Sequence, residues 1–147
     1  MAAEHLDPAT EMASRRTGMS FQRTRMSADR TLMSVIRTSL SLIGFGFTIF
    51  QMFQKLHAAQ VLQSSMAPRR FGESLVWLGI AMLVLGIIYH VSFMLGLRRQ
   101  REEMRAAGLL HAQSHFPLSL TLVVAVLLLT IGILAILSMS FDVGPFN

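Results

Sequence analysis

Apolar residues arrive in three blocks, at about residues 32–54, 74–97 and 118–140. Each is long enough to cross the roughly 30 Å hydrocarbon layer of a bilayer as a helix. The second block, SLVWLGIAMLVLGIIYHVSFMLGL, and the third, LSLTLVVAVLLLTIGILAILSMS, carry no formal charge. The first block is different. Steps of four and then three residues through RTLMSVIRTSLSLIGFGFTIFQMFQK pick out Arg30, Ser34, Arg37, Ser41, Gly44, Thr48, Gln51 and Lys55, none of them a large apolar residue. At about 100° per residue these fall within a sector of roughly 100° on the helix wheel. The rest of the wheel is apolar, with Thr38, Ser39 and Gln54 as exceptions. A polar stripe with basic residues towards both ends belongs against protein or water rather than lipid. The pattern therefore predicts an all-α membrane protein of three transmembrane helices per chain, assembling as an oligomeric bundle with the first helix lining the axis.

The segments between the blocks set the expected topology. Residues 1–27 read as a mobile basic N-terminal segment: MAAEHLDPATEMAS is small and polar and contains Pro8, and Arg15, Arg16, Arg23 and Arg25 follow. Asp29 is placed to favour the N-terminus of a helix starting near residue 28. The loop 55–73 ends in an expected turn at Pro68-Arg69-Arg70. After span two, RRQREEMRAA is good helix sequence, so that span is expected to run on into water until Gly108 loosens it, with its charges on a solvated face. The three-span domain thus covers 28–141, and 142–147 form a short tail. Arg23, Arg25, Arg98, Arg99 and Arg101 make a basic collar on one side. Nine basic residues flank that side and three the other. The positive-inside bias then puts the N-terminus in the cytoplasm, against anionic lipids, and the C-terminus outside, as expected of a bacterial inner-membrane protein.

Composition agrees with this picture and removes several chemistries. Hydrophobic residues make up 52% and charged residues 14% of the chain, far from a soluble domain's balance. There is no cysteine, so thiolate chemistry and disulfides are excluded. No P-loop, dinucleotide-binding glycine pattern, Ser-His-Asp set or paired carboxylates appear, so neither an enzyme activity nor a cofactor is expected, and nothing points to nucleic acid. His111 and His115 share the i, i+4 spacing of metal ligands, but no third ligand accompanies them and Pro117 ends any helix nearby; no metal site is expected. Small residues mark packing seams: Gly72, Gly79 and Gly86 with His90 on span two, and Thr121, Ala125, Gly132 and Ala135 on span three. Tyr89 and His90 are expected as a packed, hydrogen-bonded neutral pair.

The stretch ADRTLMSVIRTSLSLIGFGF, followed by the Gly79 and Gly86 spacing, resembles the YidH-like family of three-span membrane domains of unknown function. The same domain is similar to the membrane part of the vacuolar transporter chaperone, a polyphosphate polymerase complex. The likeness covers about residues 28–140, and its most specific piece is the recurring pair Arg30-Thr31 and Arg37-Thr38. One departure is Val35, where the family commonly has an aromatic residue. The chaperone's phosphate-sensing and polymerase domains have no counterpart here, so polymerase activity is not carried over. The resemblance implies a homo-oligomer, a pentamer as in the chaperone, with first spans around an axis and basic residues facing polyphosphate or a related anion. That role is carried to Arg30 and Arg37 alone; Lys55 joins them from the stripe. Two functions remain: an anion or polyanion pore lined by the stripe, and a non-conducting scaffold whose stripe meets a protein partner.

Overall fold

A computed structural model of the chain describes residues 7–61, 66–106 and 119–141, the side chains of residues 105 and 141 excepted. Three helices make up this structure: α1 (Pro8–Ala58), α2 (Met66–Ala106) and α3 (Leu120–Phe141). All three are long and apolar enough to cross a membrane. Their best windows differ in mean hydropathy, 1.5 in α1, 2.2 in α2 and 3.0 in α3, so the helix with the polar stripe is the least apolar.

Several boundaries differ from those expected. Residues 8–27, expected as part of a mobile segment, are the first turns of α1. Pro8 opens the helix at a position where a missing N–H costs nothing, and Glu11 follows in the first turn, where the helix dipole favours an acid. Asp29 therefore lies mid-helix rather than at a helix start. Pro68, Arg69 and Arg70 are not a turn but the start of α2, because proline is tolerated in a first turn. The Arg69 guanidinium sits 4.9 Å from the centre of the Phe50 ring and ties that start to α1. Span two does run on beyond the apolar block, to Ala106. His111, His115, Gly108 and Pro117 lie outside the described residues.

The helices run up, down and up. Glycines on the α2 seam set the register against α1: Gly72 meets Gly46, Gly79 meets Ser39 and Ile43, and Gly86 meets Val35. At Gly46 and Gly72 the approach is backbone to backbone. A methyl carbon added at Gly46 would stand 2.6 Å from the Gly72 carbonyl oxygen, so the two backbones touch. The core is one face of α1 closed by α2 and α3, at two levels. Leu32 and Ile36 pack with Leu83, Ala125 and Leu128, and Ile43 and Phe50 pack with Val76, Ile80, Ile136 and Met139. On α3, Ala125, Gly132 and Ala135 are buried, as the small-residue seam predicts.

Candidate functional site

The face of α1 that packs inward is Leu32, Ile36, Ser39, Ile43, Gly46 and Phe50. These residues step by four and three, as the polar stripe does, but two positions out of phase. Two residues turn a helix by about 200°, so the stripe lies on nearly the opposite side. Its residues are accordingly uncovered: Arg30, Ser34, Arg37, Ser41, Gly44, Thr48 and Lys55 are exposed, and Gln51 is half-buried. Gly44, two residues before the crowded Gly46, has nothing within 4 Å of an added methyl. Arg37 directly follows Ile36, so its exposed guanidinium stands beside the apolar Leu32–Ile36–Leu83 level.

Two of the stripe's hydroxyls are turned onto their own helix. Ser41 Oγ donates to the Arg37 carbonyl at 3.0 Å and Thr48 Oγ1 to the Gly44 carbonyl at 2.8 Å. Such back-bonding satisfies a hydroxyl in any surroundings. A guanidinium has five donors and no acceptor, so Arg37 has to find oxygen atoms elsewhere.

Viewed as one helix rather than as a span with a leader, α1 carries a seven-residue repeat. RTGMSFQ, RTRMSAD, RTLMSVI and RTSLSLI follow one another without a break from Arg16 to Ile43. Arginine recurs at 16, 23, 30 and 37, threonine at 17, 24, 31 and 38, and serine at 20, 27, 34 and 41. Arg30 and Arg37 are thus the inner two rungs of a ladder spaced by about 10.5 Å along the helix. Arg16 and Arg23 are exposed as well. Reading the apolar block alone truncates the ladder at Arg30; the repeat itself is plain in the sequence.

Residues 23–106, more than half of the chain, match the family described as "Domain of unknown function (DUF202)". The chain belongs to the DUF202 family. No curated protein and no solved structure matches it. The matched part of this DUF202 chain holds the whole stripe, the Gly46–Gly72 crossing and both arms of the long helical hairpin, and it begins inside the heptad repeat.

A second polar cluster of the DUF202 chain joins all three helices where α3 begins. His90 is 3% exposed. Its Nε2 lies 3.4 Å from Ser119 Oγ and 3.6 Å from Asp29 Oδ1, an ion pair when the imidazole is protonated. Ser119 also caps α3, accepting a hydrogen bond from the Leu122 N–H at 3.3 Å. His90 Nδ1 and Asp29 Oδ1 are buried and have no hydrogen-bond partner among the described residues. The expected Tyr89–His90 pair is replaced by this arrangement. Neighbours on a helix point about 100° apart, so burying His90 turns Tyr89 outward, where it stacks on Phe93 with ring centres 6.2 Å apart. Among the described residues, no group of three or more His, Asp or Glu side chains is arranged to hold a metal ion.

Proposed function

We propose that this DUF202 protein assembles with copies of itself in the membrane, with the α1 stripes turned to a common axis that passes anions. One observation carries the reading. Arg37 is exposed on the side of α1 away from α2 and α3, within an apolar span. An arginine at the centre of a lone span costs about 2.5–3.5 kcal/mol. Near the edge, part of that cost is relieved when the side chain reaches for headgroups. Gln51 and Lys55 continue the same line, and Gly44 leaves it open at mid-span. Facing an aqueous axis accommodates all of them at once.

Guanidinium groups about 8 Å apart in such a ring repel by roughly 2 kcal/mol per adjacent pair at an effective dielectric near 20. Water, counter-charge or a bound anion relieves this, so the ring favours phosphate-like or polymeric anions and rejects cations. Five copies, and polyphosphate as the polymer, follow from the family resemblance. The membrane is a bacterial inner membrane in this reading, and the basic flanks favour the N-terminus on its cytoplasmic side.

The test is reversal potential across a bilayer holding the purified protein, under opposed anion and cation gradients. Anion selectivity is expected. It disappears in Arg37→Ala and changes sign in Arg37→Glu. Cation selectivity in the unchanged protein refutes the pore, and a sealed, dry axis with a co-purifying protein on the stripe establishes the scaffold instead.

A further inference from the structure

On a seven-residue frame the outer face of α1 consists of four columns, each about 50° from the next: methionine or leucine, then arginine, serine and threonine. The first column is Met12, Met19, Met26, Met33 and Leu40, which are 63%, 54%, 50%, 50% and 53% exposed. The last column is Thr17, Thr24, Thr31 and Thr38. When arginine and serine face an axis, the two outer columns face the neighbours on either side.

We propose that copies of the chain join through these two columns, with methionine and leucine of one α1 against threonine of the next. The bundle then continues past the membrane along the N-terminal half of α1 as a left-handed supercoil. Arg16 and Arg23 form two more rings in line with Arg30 and Arg37. This rests on the axial assembly proposed above and extends it to the part of α1 outside the apolar block.

Four observations support the pairing. The threonine hydroxyls are already satisfied: Thr17, Thr24, Thr31 and Thr38 donate to the carbonyls of Ala13, Ser20, Ser27 and Ser34 at 3.0, 3.0, 3.1 and 3.0 Å. They offer a methyl sideways without stranding a polar group, which is what a thioether chain requires of its partner. Lipid cannot cover Met19 and Met26, which lie before the apolar block. Nor do the other described residues cover them: both stay at least half exposed, whereas Phe21, Arg25 and Ala28 are half-buried, as are Thr17 and Thr24 of the threonine column. An unbroken seven-residue period is what neighbours in a left-handed supercoil require. Finally, the contact is made on both sides of every chain. Each uncovered methionine or leucine presents on the order of 100 Å² and each threonine edge about half that, so one contact covers roughly 700 Å² counted over both helices and each chain makes two of them.

Because unlike columns meet, the contact is head-to-tail, and around the common axis proposed above it closes into a ring. The chain has no cysteine, so disulfide trapping starts from a clean background. Full-length protein in membranes is oxidised as two double variants, Met26→Cys with Thr24→Cys outside the apolar block and Leu40→Cys with Thr38→Cys inside it. Both are expected to give ladders that pass the dimer, because each chain links on both sides; each single variant stays monomeric. A ladder from the inner pair without one from the outer pair overturns the extension and leaves the membrane assembly standing. Ladders from neither pair refute both. Dimers from the single variants refute the pairing of unlike columns.

Discussion

Placing a methyl group at Gly46 tests the register on which the stripe's outward orientation depends. In Gly46→Ala the new carbon would lie 2.6 Å from the Gly72 carbonyl oxygen, 2.9 Å from Leu75 Cβ and 3.0 Å from Val76 Cγ2. The first is backbone and the second is fixed to it, so no side-chain rotation relieves the clash. Restoring a contact of about 3.5 Å parts the two helices by nearly 1 Å, and a gap of that size forfeits roughly a quarter to a half of each dispersion contact across it. Val76 and Phe50, 0% and 4% exposed, stand at this level and lose most. The expected cost is the upper part of the ~1–3 kcal/mol range for overpacking. Gly44→Ala is the control: it has nothing within 4 Å, and alanine is the better helix former by about 1 kcal/mol. Reversible unfolding of the chain in mixed micelles reads both. Equal stability of the two variants would mean that α1 and α2 do not cross here, and the outward orientation of the stripe would lose its basis.

Three further substitutions probe the buried polar groups. Ser39 is 0% exposed and its hydroxyl has no hydrogen-bond partner among the described residues, so Ser39→Ala should leave stability unchanged or raise it by up to about 1 kcal/mol. A loss of stability in the same unfolding assay would show that the hydroxyl does have a hydrogen-bond partner in the folded chain. Asp29→Ala and His90→Ala should each cost about 1–3 kcal/mol, and their double variant should fall short of the sum by at least about 0.5 kcal/mol, because each leaves the other's buried atoms unmatched. Strict additivity would mean that the two side chains do not interact.

The three spans and their small-residue seams are legible in the sequence because apolar length and glycine spacing are local properties. The Gly72–Gly79–Gly86 seam needs no knowledge of its partner to be recognised. The partners themselves are another matter. His90 and Asp29 meet only once α2 folds back antiparallel on α1, and nothing near either residue announces the contact. Tyr89 is the nearer neighbour in sequence and the wrong one, since adjacent helical residues face different ways. The helix from Pro8 to Asp29 escapes a search for apolar blocks because its order comes from a repeat of mixed residues. Pro68 misleads for a simpler reason: a turn and a helix's first turn both accept proline, and only the residues after it tell the two apart.

The heptad frame bears on the path of α1 itself. A straight α-helix drifts by about 20° per heptad against a seven-residue repeat. From Leu32 to Phe50 the buried face spans fewer than three heptads, and an apolar face roughly 100° wide absorbs that drift against α2 and α3. The outer face runs further. Arg16 and Arg37 are three heptads apart, so in a straight α1 their side chains diverge by about 60°. With Arg37 on an axis, Arg16 would then point a full column aside, into the flank of the neighbouring helix. Arginine, threonine and serine nevertheless keep their places through every heptad from 16 to 41. That regularity serves a common axis only if α1 winds left-handedly around its copies, which returns Arg16 and Arg23 to the line of Arg30 and Arg37. Trapping at Met26 and Thr24 thus reads more than proximity: a straight bundle that met at Leu40 and Thr38 would already have turned those two columns out of register there.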